Sequence, residues 1–180
     1  MEDLTKYAQT KQRLYAMKNG VLADQLRQAG CPYRLIWGLN LPQLTEIAAE
    51  TGSDAELAEQ LWANRDLRES QLLAPMLYPV AELTREKALE LVGNLRWQED
   101  ADILCFKLLR KADFALQLAT ELIEDEDRLK RYTALRLYFN LVAQAPAEAI
   151  KAAEKELTRN QPLSNLASML REEANFILGN

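Results

Sequence analysis

The 180-residue chain contains no histidine. That excludes histidine triads and histidine metal ligands, and with them much hydrolytic and metalloenzyme chemistry. Cysteine is nearly as scarce. Cys31 and Cys105 stand far apart with no Cys-x-x-Cys spacing, so no conventional zinc site is expected. Two buried or incidental thiols suit a reducing, cytoplasmic compartment. No phosphate-cradling glycine loop is present, and no metal or cofactor is implied. Six glycines and six prolines leave few interruptions, which favours long helices. No apolar run approaches the roughly 18 residues of a membrane span. The opening Met1-Glu2-Asp3-Leu4-Thr5-Lys6 lacks the basic-then-apolar order of a secretory leader. A basic excess is missing too: 22 Lys and Arg face 27 Asp and Glu, for a net charge of −5. A dedicated nucleic-acid binder normally carries the opposite balance, because phosphate contacts supply most of its affinity.

What the chain does have is helical periodicity that nearly repeats itself. Leu57-Ala58-x-x-Leu61-Trp62 opens one amphipathic segment and residues 67–77 supply a second. Further on, Ala88-Leu89-x-x-Val92 is followed by Leu104, Leu108 and Leu109. Later still, Leu118-Ala119-x-x-Leu122-Ile123 precedes residues 129–142. A helix pair recurring at roughly thirty residues is the pattern of an α-solenoid, whose stacked pairs bury one another and leave a concave surface for a partner. The expectation is an all-α superhelix of HEAT-like or armadillo-like pairs, with about ten helices in a single domain over 1–180. Residues 1–30 would form N-terminal helices and 36–180 the stacked pairs. Pro42 suits a first helical turn, Gly52 a helix end, Ser53 or Asp54 a cap and Thr84 another. Pro75 and Pro79 should end or kink a helix near Tyr78. Later helices are expected at about 99–111, 113–124, 127–143, 146–158 and 162–178.

Three stretches in order carry a family resemblance. They are Trp37-Gly38-Leu39-Asn40-Leu41-Pro42-Gln43-Leu44-Thr45-Glu46-Ile47-Ala48, then Leu57-Ala58-x-x-Leu61-Trp62 with Arg68-Glu69-Ser70-Gln71-Leu72-Leu73-Ala74, then residues 127–135. Together they resemble the HEAT-like-repeat DNA glycosylases that excise alkylated purines. The resemblance implies DNA as a partner, held on the concave face, and a catalytic aspartate near a helix start. Aligning the helix's apolar positions puts Asp102 at that carboxylate and Gln98 where the family has an aromatic. Aligning Trp97 with the aromatic instead puts Ala101 at the carboxylate.

A cationic alkylated base is already a good leaving group, so excision chiefly needs a carboxylate to stabilise charge developing on the sugar. Asp102 is the candidate. Glu99, Asp100 and Asp102 equally suit a first helical turn, whose dipole favours acids. Trp62 follows the apolar stripe and reads as core, whereas Trp97, beside Arg96 at a loop-to-helix junction, is a candidate contact. Candidate DNA-binding residues are Arg96, Trp97, Lys107, Arg110, Arg128 and Arg131. Arg131 shares one helical face with Leu135, Tyr138 and Val142, where an arginine pairs, snorkels or reaches a ligand. Residues 96–136 hold eight basic and nine acidic side chains, Lys111, Lys130 and Arg136 among the basic ones. The resemblance implies a DNA alkylation repair-like protein that binds DNA on its concave face, with base excision at Asp102 slow or absent. The alternative is a non-catalytic helical-repeat scaffold for a protein or peptide partner. Oligomeric state stays open.

Overall fold

Capping chemistry decides where most helices start in the computed structural model, which describes residues 5–159 and 162–179. Of the N-terminal helices expected over 1–30, residues 1–4 lie outside the described residues. Helix α1 (Lys6–Ala16) begins where Thr5 Oγ accepts the Ala8 N–H, and α2 (Gly20–Gln28) where Asn19 accepts from Leu22. Helix α3 (Leu41–Thr51) carries a reciprocal box, Asn40 accepting from Gln43 N–H and Gln43 from Asn40 N–H, with Pro42 in its first turn. Asp54 caps α4 (Ala55–Ala63), and α5 (Arg68–Leu77) holds Pro75 inside it before ending at Tyr78. Thr84 caps α6 (Arg85–Gly93). There follow α7 (Gln98–Lys107), α8 (Ala115–Leu122), α9 (Arg128–Leu141), α10 (Pro146–Thr158) and α11 (Ser164–Leu178).

Among the described residues the fold is all-α, with helix pairs of the kind a helical-repeat fold is built from. The one β-type pairing is an isolated bridge between Leu35 and Leu67. No described helix is long and apolar enough to cross a membrane.

The chain divides into two compact units, one ending at Glu82 and the other beginning at Leu83. In the first, α5 packs on α3 and α4, and α1 on α4. Its apolar centre includes Leu14, Leu44, Ile47, Leu57, Leu61 and Leu72, all essentially inaccessible. Trp62 is buried with them, as its periodicity implied. The extended segment before α3 is fixed by Gly38 at φ 79°. A Cβ there would lie 2.1 Å from the Asn19 carbonyl oxygen, so only glycine fits.

In the second unit α9 is the central helix. It packs against α6, α7, α8, α10 and α11, while α10 and α11 pair with each other. Its buried residues Ala134, Leu135, Leu137, Tyr138 and Leu141 explain why one helix meets so many neighbours. The helix expected over 99–111 is shorter. Leu108, at φ −126° and ψ −66°, breaks it, and residues Leu109–Lys111 form a separate 3₁₀ turn. Leu104, Leu108 and Leu109 remain buried across the break, so the apolar pattern continues where the helix does not.

Candidate functional site

Helix α7 starts at Trp97, an extended residue whose backbone N–H donates to the Asp100 carboxylate at 3.1 Å. Asp100 is buried and is the acid that serves the helix start. Asp102 lies beyond that first turn and does something else. Its Oδ1 accepts from the Tyr132 hydroxyl at 2.9 Å, and the Arg136 Nε stands 2.7 Å from the same oxygen. The Nε–H is angled away from hydrogen-bonding geometry, so the guanidinium acts here chiefly as a charge. Tyr132 and Arg136 are one turn apart on α9 and therefore share a face. A helix-to-helix contact thus assembles the three groups.

Burial raises the Asp102 carboxyl above its ordinary value, while the Arg136 charge and the Tyr132 hydrogen bond pull the other way. Burial, with the Asp102 carboxylate beside it, pushes the Tyr132 phenol up, so it stays protonated as the donor. Cys105, one turn along α7, is fully buried and its S–H donates to the Thr133 carbonyl at 3.5 Å. Its thiol is pushed far up by burial, which makes it inert packing. The Asp102 side chain keeps about a third of its surface in solvent, at 33% exposure. A partly sheltered carboxylate, fixed in direction and open on one side, can stabilise positive charge on a ligand.

The structure distributes the other candidates unevenly. Arg96 is exposed and Trp97 half-buried at the start of α7. Lys107 ends that helix, and Arg110 follows in the 3₁₀ turn with its guanidinium 4.2 Å from the Phe106 ring centre. Arg128 is exposed at the first position of α9.

Arg131, placed among the DNA contacts by the sequence, is turned inward. Its Nε donates to both Glu156 carboxylate oxygens, at 3.0 and 3.3 Å. Its Nη1 donates to the Asp125 and Glu126 carbonyls. Of the residues that share its face, Leu135 and Tyr138 are buried, and Val142, past the helix end, is half-buried. Five residues on a helix turn the chain through about 140°, so Arg131 and Arg136 point in different directions. The sequence reading singled out Arg131 and left Tyr132 aside, with Arg136 only one of a basic set. The Tyr132/Arg136 spacing of one turn was the available signal.

The fold and this site define a helical-repeat protein whose second unit holds a half-buried carboxylate, Asp102, fixed between two of its helices. The chain belongs to the DNA alkylation repair enzyme family, whose sequence profile matches residues 10–177. No curated protein and no solved structure shows a significant match.

Proposed function

We propose that the protein binds DNA through its second unit and that Asp102 is the carboxylate set against the sugar of a damaged nucleotide. The observation that carries this reading is Asp102 itself, half-buried and aimed by Tyr132 and Arg136 rather than spent on capping α7. Membership of an alkylation repair family supports DNA as the partner. The cations Arg96, Lys107, Arg110 and Arg128 would meet phosphates, and Trp97 the nucleotide. Two buried cysteines outside any disulfide support a reducing, cytoplasmic setting.

Base release is slow in this account. A carboxylate 2.7 Å from a guanidinium offers a developing cation only part of its charge. Gln98 also stands where an aromatic wall would shelter the site. The test is release of methylated purine from alkylated duplex DNA, wild type beside Asp102→Asn. Wild type should release base slowly, and the substitution should abolish that release. Only ionised Asp102 can stabilise a cation, so release should fall as pH drops through the raised carboxyl pKa. That acid limb should lie above the ordinary aspartate value of 3.8. Stability should change by about 1 kcal/mol or less, since the pair is partly solvated. Release equal in both proteins and in a blank would make Asp102 a structural tie between α7 and α9.

A second reading, a scaffold for a protein partner, is favoured by the exposed Met169, Phe176, Ile177 and Leu178 of α11. It predicts no DNA affinity.

A further inference from the structure

Asp102 is not alone on its face of α7. Gln98, Asp102 and Phe106 follow at one-turn spacing, so Phe106 lies beside the carboxylate on the side away from the helix start. Phe106 is a large apolar side chain left 41% exposed. A single exposed phenylalanine is ordinary, but its company is not. The Arg110 guanidinium lies 4.2 Å from the ring centre and the Lys107 ammonium 5.3 Å from it. Lys111 follows directly, and residues 103–112 contain no acid before Asp113.

The helix dipole accounts for one cation at the end of α7, Lys107. It does not account for two more in the next turn. Among the described residues Arg110 and Lys111 form no ion pair with a carboxylate. Burial, and then Lys111 and Arg110 as like charges, depress the Lys107 ammonium. Crowded cations around an exposed ring, in a chain whose net charge is −5, are relieved by an anion laid across them.

We propose that Phe106, Arg110 and Lys111 form a strand-docking surface for DNA next to Asp102. Phe106 meets the face of an unstacked nucleotide, and the two cations hold the flanking phosphates. Phe106 thereby supplies, one turn beyond Asp102, the aromatic contact that Gln98 does not supply one turn before it. This inference rests on the DNA-binding reading above.

The experiment compares equilibrium binding of a perfect duplex and a duplex with a one-nucleotide bulge, each across a salt series. The proteins are wild type, Phe106→Ala, Phe106→Trp and the double variant Arg110→Ala/Lys111→Ala, all checked for unchanged thermal unfolding. Wild type should prefer the bulged duplex. Phe106→Ala should weaken bulge binding by about 5- to 150-fold, the range of one lost aromatic–base stack, and remove the preference. Phe106→Trp should retain it. The double variant should weaken both duplexes and make the slope of log affinity on log salt shallower by about 1.8, or about 0.9 per lost phosphate contact. If wild type binds DNA but all variants keep its preference and salt slope, the docking surface is wrong while DNA binding stands. If wild type binds neither duplex at low salt, the DNA-binding reading fails and this inference fails with it.

Discussion

Replacing Glu156 by alanine should destabilise the second unit by about 3–5 kcal/mol, the largest effect expected there. Glu156 is inaccessible, and it faces the buried Arg131 guanidinium through two hydrogen bonds. Truncating the acid removes the attraction and leaves a cation in an apolar setting, which costs more than the pair contributes. Arg159 Nε, 3.9 Å from the same carboxylate, loses a neighbour as well. Because Arg131 also holds the Asp125 and Glu126 carbonyls, the turn between α8 and α9 should loosen with it. Glu156→Gln keeps an acceptor and should cost less. Denaturant unfolding followed by a probe in the second unit checks the order, with wild type most stable and alanine least. An alanine variant as stable as wild type would mean that Arg131 is not committed to this pair.

The first unit has a comparable centre at Glu69, and Glu69→Ala should cost it about 3–5 kcal/mol. The carboxylate is fully buried. It accepts backbone N–H groups from Trp37, Gly38 and Leu39, and its Oε1 lies 2.8 Å from Arg68 Nη1. Each donor left unsatisfied in the interior costs about 1–3 kcal/mol, so losing the acceptor of three donors and an arginine ranks with the largest single cavity effects. Domains hold only about 5–15 kcal/mol in all, so such a loss brings the unit close to unfolding. Amide hydrogen exchange at residues 37–39 should accelerate most, because these donors lose their acceptors directly. Protection unchanged at those amides would contradict the assignment.

The helices were legible because a period near 3.6 and side-chain caps are local properties. Asp54, of the Ser53/Asp54 pair, and Thr84 cap the helices the sequence assigned to them, while the Asn40 cap went unread. The end of α7 was not legible, since buried Leu104, Leu108 and Leu109 keep the helical spacing through a backbone break. For the site, Asp102 could be singled out as a carboxylate on α7. The one-turn spacing of Tyr132 and Arg136 showed that they share a face, but not that this face meets Asp102, 30 and more residues away on another helix. Arg131 shows the converse. Its apolar face was visible in the sequence, but Glu156 on α10 decides that this face is closed. A net charge count also averages over local runs. Eight basic and nine acidic side chains over 96–136 conceal a local cluster at 107–111.

The central claim, that the second unit binds DNA, is tested most directly by the affinity of the intact protein for duplex DNA across a salt series. Counterion release requires affinity to fall steeply as salt rises, by about 0.9 in log–log slope for each neutralised phosphate. Engagement of Arg96, Lys107, Arg110, Lys111 and Arg128 predicts a slope of roughly −4 to −5. Absence of binding at low salt, or binding indifferent to salt, would contradict the account and favour a protein partner.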